Sequence, residues 1–266
     1  MLLENKNAII YGGGGSIGGA VARGLAKEGA KVFLTGRTMA TLKKVADDII
    51  AAGGKAETAE VDATNEAAVN NHINTVFSKA GSVDISFNAI EWLPKQNITL
   101  VEMTLEDFIR PISIGMTTEF ITTTAAGKIM IKQGSGVILS ITATPGGIAY
   151  PKVGGFGPAC CAMEGLSRDL ASELGPYGVR VVNIRSGGSP DSRPFAEAIA
   201  SGNPEIKDII RSMEGDTMLK KLPLMKDIAN VAVFLSSDMA AKITGTTIDV
   251  TVGTTNGLNH KTSVPF

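Results

Sequence analysis

Residues 9–29, IIYGGGGSIGGAVARGLAKEG, decide the fold. An apolar, strand-forming run ends at Tyr11. Four glycines follow, Gly12, Gly13, Gly14 and Gly15, and Ser16-Ile17-Gly18 open a segment of helical pattern that closes at Gly29. Glycine lets a backbone come close to a pyrophosphate, and a helix N-terminus presents free N–H groups and the positive end of its dipole. Strand, glycine turn and helix, in that order, are the setting in which a glycine loop signifies dinucleotide binding; elsewhere the same residues make only a tight turn.

Outward from this unit the pattern repeats. Strands are expected over 7–12, 31–36, 56–63, 83–89, 136–142, 179–184 and 246–252. Helices are expected over 17–29, 39–54, 65–81, around 104–133, 157–175 and 226–237. Strands alternating with helices imply right-handed crossovers. The expected fold is α/β: a single Rossmann-type doubly wound domain over 1–266, with a seven-stranded parallel sheet and helices on both faces. Residues 187–225 break the rhythm, with Pro190, Pro194 and Pro204 among polar residues. They follow a strand's C-terminal end, where such sheets bind ligands, and are read as a substrate-side lobe.

Composition narrows the function. Apolar residues make up 44% and charged residues 19% of 266, and the net charge is −1. No run of one sign points to nucleic acid or an anionic membrane. The apolar runs are of strand length, so no membrane span is expected, and the N-terminus lacks the pattern of a secretory signal. Adjacent Cys160 and Cys161 form no disulfide framework, which fits the cytoplasm. The two histidines, His72 and His260, give no metal-ligand spacing.

The second strand runs into Gly36-Arg37-Thr38, with no acid to accept a bond from a ribose 2′-hydroxyl. A guanidinium there matches the 2′-phosphate of NADP as a planar donor fork. NADP(H) is therefore favoured over NAD(H).

These residues resemble the short-chain dehydrogenase/reductase family over nearly the whole chain. The family's glycine motif is met by Tyr11-Gly12-Gly13-Gly14-Gly15-Ser16-Ile17-Gly18, with serine in the second glycine's place. The resemblance assigns Asp62, followed by Ala63, to the adenine amino group. It matches Phe87-Asn88-Ala89-Ile90 to the motif after strand four and Gly187 to the carboxamide-holding segment after strand six. The sequences LASELGPYGVRVVNI and IANVAVFLSSDMAAKITG are similar to the family's later signatures. The resemblance also implies a homotetramer or homodimer, in which helices four and five pair across subunits. The apolar face around Ala159, Met163 and Leu166 is compatible with that.

In the family a tyrosine donates a proton as hydride arrives, a lysine lowers that tyrosine's pKa, a serine binds the carbonyl, and a helix-four asparagine holds a relay water. The matching positions here are Phe156, Cys160, Ala143 and Gly115. Phenylalanine cannot donate a proton, and alanine cannot polarise a carbonyl. Tyr150 is an alternative donor from the loop before helix five. Thr142 and Thr144 flank Ala143 but are read as structural hydroxyls. Glu91, Asp191 and Arg193 are read as solvated loop charges beside Trp92 and the lobe. Cys160 and Cys161 are read as buried, inert thiols.

The expectation is an NADP(H)-dependent oxidoreductase whose small-molecule acceptor, an iminium ion or activated alkene, needs no tyrosine proton donor. The alternatives are a non-redox cyclase or isomerase using the same cavity, and a catalytically silent nucleotide-binding or partner subunit.

Overall fold

The computed structural model describes residues 1–202 and 204–256; His260 lies outside them. Seven strands form one parallel sheet in the order β3-β2-β1-β4-β5-β6-β7. They are β1 Asn7–Tyr11, β2 Lys31–Gly36, β3 Lys55–Glu60, β4 Ile85–Asn88, β5 Gly136–Ala143, β6 Val179–Ser186 and β7 Thr246–Val250. Between them run α1 Ser16–Lys27, α2 Met39–Ala51, α3 Glu66–Ala80, α4 Leu105–Gln133, α5 Phe156–Leu174, α6 Arg193–Ala200, α7 Pro204–Gly215 and α8 Met225–Ser236. The strand order reverses beside β1, so the ends of β1 and β4 bound a crevice open to ligand.

Alternation along each strand sorts the core into two layers. Ile10, Leu34, Phe87, Leu139 and Ile184 face α1, α2 and α8. Ile9, Tyr11, Phe33 and Ile138 face α3, α4 and α5. With both faces covered, the central strands read as continuous apolar runs rather than alternating ones. Helix signals act as expected at several ends. Asn65 caps α3 by accepting from Ala68 N–H at 3.0 Å, and Gly81 closes it in the left-handed region at φ 83°.

The lobe departs from the sequence reading. Residues 187–225 are not irregular throughout but carry α6 and α7. Pro194 stands in the first turn of α6, and Pro204 opens α7. Proline breaks a helix from inside, but at the first turn its missing N–H is no loss and its φ is already set. Prolines that read as breaks are here starts.

Candidate active site

The glycine loop is built by contact. Gly12 has φ 76°, and a Cβ on it would collide with the Ala89 carbonyl oxygen; one on Gly18 would collide with the Gly12 carbonyl oxygen. Both glycines are therefore required for the loop to fold back between β1 and β4. Gly13 N–H donates to Thr35 O at 3.0 Å and Gly15 N–H to Gly12 O at 3.0 Å. Gly15 precedes α1 with no side-chain cap, and no acid occupies the helix's first turn. The first-turn N–H groups, which have no intrahelical partner, are left for an anion. The residues present fit the pyrophosphate of a dinucleotide.

Two clefts meet at this loop. The first, about 240 Å³, is walled by Gly12, Gly14, Gly15, Arg37, Thr38, Asp62, Ala63 and Ala89. The Asp62 carboxyl is held below its ordinary range, first by the Thr64 backbone N–H, then by the Thr64 hydroxyl, with Arg37 adding a weaker pull. Its Oδ1 takes both Thr64 bonds, at 2.9 and 2.7 Å. Ser16, Ile17 and Gly187 lie instead on the second cleft.

Two residues expected to touch cofactor stand behind these walls. Gly18 serves the close approach to Gly12. Asn88 is buried, donating from Nδ2 to Thr122 Oγ1 at 3.0 Å and accepting Ile90 N–H on Oδ1 at 3.0 Å. It ties the end of β4 to α4.

The second cleft, about 360 Å³, lies between the strand ends and the lobe. Ile90, Trp92, Ile141, Ala143, Phe156 and Phe195 give it an apolar lining. Beside it Trp92, Ala159, Cys160 and Met163 form a small core of their own, against which Ala143 and Phe156 pack. The Trp92 and Phe156 rings sit 5.4 Å apart between centroids, tilted 53°. Gly115 is buried in α4, and a Cβ there would lie 3.2 Å from the Trp92 ring. Of the four positions matched by resemblance, Ala143 and Phe156 line the cleft, whereas Cys160 and Gly115 lie behind it against Trp92; among the four side chains only the Cys160 thiol can hydrogen-bond. Burial, above all, pushes that thiol up to about 12, so it stays protonated and unreactive at neutral pH.

The lobe adds polar side chains to this cleft, Ser189, Ser192 and Arg193 among them. Ser189 is 3% exposed, and its Oγ has no hydrogen-bond partner. Ser186 Oγ is engaged, donating to Gly187 O at 2.7 Å.

Several side chains fall elsewhere than expected. Tyr150 is exposed and lines a separate cavity with Ile148, Met213 and Pro223, not the one beside Phe156. Cys161 is exposed while Cys160 is buried, because successive helical residues point about 100° apart. Ala159 and Met163 are buried within the chain and form no outer face. Glu91, Asp191 and Arg193 are exposed, in line with their reading as solvated loop charges, and Asp191 also accepts Met225 N–H at 3.0 and 3.1 Å, capping α8. Glu91 lines both clefts. Arg193 lines both as well, and its main-chain N–H donates to Ser16 Oγ at 2.9 Å. Thr142 holds to its structural role: its Oγ1 donates to Glu164 Oε1 at 2.9 Å and accepts Asn183 Nδ2–H at 2.7 Å. Thr144 Oγ1 donates to Ser186 O at 3.4 Å.

Comparison with known proteins follows the same lines. The family model described as enoyl-(acyl carrier protein) reductase matches residues 13–255. The chain is 31% identical over 252 residues to the 3alpha-hydroxysteroid dehydrogenase of Mediterraneibacter gnavus, covering 94% of this chain and 97% of that one. Among solved structures, levodione reductase matches with a TM-score of 0.86 at 26% identity, over 96% of this chain and 100% of the other. A short-chain type dehydrogenase/reductase from Mycobacterium ulcerans matches with a TM-score of 0.87 at 25% identity, over 96% and 92%.

Proposed function

The chain belongs to the short-chain dehydrogenase/reductase family, a family of NAD(P)-dependent oxidoreductases, and from that premise we propose that it reduces an acceptor needing no proton from the enzyme where hydride arrives. NADP(H) is the proposed cofactor. Gly12, Gly14, Gly15, Ser16 and Ile17 would hold its pyrophosphate, Arg37 and Thr38 the 2′-phosphate, and Asp62 and Ala63 the adenine. Bound there, the dinucleotide supplies the hydride.

One observation carries this reading: a cleft that fits the cofactor adjoins an aromatic wall, Trp92 on Phe156, with Phe156 at the position matched to the family's proton donor and Ala143 at that of its serine. A general acid contributes about 10²–10⁴-fold to rate and one oxyanion donor about 10²–10³-fold. Without them, ketone reduction loses several decades. An iminium carbon accepts hydride with no new charge on oxygen to neutralise. Aromatic faces favour its cation, and Glu91 at the cleft mouth adds a carboxylate. An activated alkene protonated from water is served by the same geometry.

The test is NADPH oxidation across matched panels of ketones, enones and preformed cyclic iminium ions. Turnover of the iminium or enone panel with silent ketones supports the proposal. Brisk ketone reduction overturns it. Product without net redox change selects a cyclase or isomerase, and cofactor binding without any turnover selects a sensor or partner subunit.

We further propose a cytoplasmic homo-oligomer. Phe120, 56% exposed on α4, and the half-buried Leu166 on α5 supply apolar contact surface.

A further inference from the structure

Ser16 is the serine of the glycine loop, and Arg193 is the first residue of α6 in the lobe. They lie 177 positions apart, yet the Arg193 main-chain N–H donates to Ser16 Oγ at 2.9 Å. That bond uses the hydroxyl oxygen as acceptor. The hydroxyl hydrogen has no acceptor among the described residues and is free to donate.

The Arg193 side chain is equally uncommitted. Its ion pair with Glu197 is 3.9 Å long, with the two side chains 61% and 71% exposed, and such pairs contribute little. Asp191, two residues before, is occupied with the α8 N-terminus. Arg193 lines both clefts and a third hollow that runs from Gly14 and Thr41 to Lys44. It therefore lines every hollow that meets at the glycine loop, on which the cofactor reading above sets the pyrophosphate.

We propose that Arg193 is a lobe-borne ligand of the cofactor's pyrophosphate, and that with Ser16 it couples the position of the lobe to cofactor binding. The proposal rests on the cofactor reading above. The Ser16 hydroxyl accepts from the lobe and donates to a phosphate oxygen, while the Arg193 guanidinium pairs with the same diphosphate from the lobe side. Filling the pyrophosphate site then tightens the lobe over the apolar cleft, whatever the ring beyond it is doing.

The pyrophosphate is common to NADPH and NADH, and only NADPH has the 2′-phosphate, so two arginine variants separate the sites. Binding of both dinucleotides is measured by calorimetry for wild type, Arg193→Ala and Arg37→Ala. Arg193→Ala is expected to weaken both by the same factor, on the order of tenfold, whereas Arg37→Ala weakens NADPH alone. Hydrogen exchange at the Arg193 amide supplies a second readout. Ser16→Gly is expected to speed that exchange in the absence of ligand and to blunt the protection that NADPH confers.

Unchanged affinities in Arg193→Ala overturn the proposal. So does a loss confined to NADPH, which would put the guanidinium on the 2′-phosphate, and so does wild-type exchange in Ser16→Gly. A wild type that binds neither dinucleotide overturns the cofactor reading and this proposal with it.

Discussion

Arg185 grips Glu164 with two nitrogens, Nε to Oε1 at 2.9 Å and Nη2 to Oε2 at 2.6 Å, and the side chains are only 12% and 7% exposed. Nη1 reaches on to Asp249 at 2.9 Å. A Cβ on Gly146 would collide with Glu164 Oε1, so the pair fixes the turn that leads from β5 toward Phe156. Glu164→Gln, which strips charge from a sealed pair, is expected to cost about 3 kcal/mol. The double variant Glu164→Leu/Arg185→Met should be more stable than either single change, because neither member of the pair is left as a buried charge without the other, and Asp249, which also loses Arg185, is 27% exposed. Urea denaturation of wild type, Glu164→Gln, the two singles and the double variant checks this, and a double variant worse than both singles would refute it.

The proposed nucleotide preference rests on one side chain. Arg37 is exposed at the cleft, with Asp62 the acid that feels its charge. Wild type is expected to bind NADPH more tightly than NADH. Arg37→Ala should lose about tenfold or more for NADPH, since a charge-assisted hydrogen bond contributes roughly 1.5–3 kcal/mol. Equal wild-type affinities, by fluorescence titration, contradict the prediction.

The proton-donating chemistry is expected to be restorable. Ala143→Ser, Phe156→Tyr and Cys160→Lys together should give measurable ketone reduction, and each alone almost none, because such groups act as a unit. Steady-state rates with a simple ketone and NADPH decide it. A folded, cofactor-binding triple variant that stays silent would count against hydride transfer at this cleft.

Glu119 is expected to make stability fall with rising pH. It is buried in α4 with Oε2 unpartnered, and burial raises its carboxyl from 4.5 to about 8. Between those values the native state holds a proton that the unfolded chain has released, so stability falls as pH rises through that window. The cost is absent below the lower value and complete above the upper one. Glu119→Gln, which keeps the shape and removes the titration, should flatten the slope and raise the melting temperature at pH 8 more than at pH 5. An unchanged slope would show that Glu119 finds a partner in solution.

How much of this was legible in the chain depends on the range of the interaction. Strand and helix periods, the glycine loop and Arg37 are local signals, and the sheet follows from them. The lobe helices were hidden because Pro194 and Pro204 look alike as breakers or starters until the chain direction is known. Cys160 and Cys161 share a residue type and differ only in helical phase. Trp92 lies 23 positions before Gly115, and Ser16 lies 177 before Arg193; no pattern within one segment reports such meetings.

The Trp92 ring against Gly115 also bears on what position 115 can hold. Of the four matched positions, Ala143 and Phe156 face the cleft and Cys160 is packed beside it. The fourth is different: with a Cβ already 3.2 Å from the indole, an asparagine would have to force the ring aside, and overpacking of that kind costs about 1–3 kcal/mol. A lineage reverting toward the ordinary chemistry would need to lose the tryptophan before it could regain the asparagine. The intermediate, lacking both, would hold a void and no benefit. On the proposed reading, positions 92 and 115 are therefore coupled: a change at either alone leaves a clash or a void.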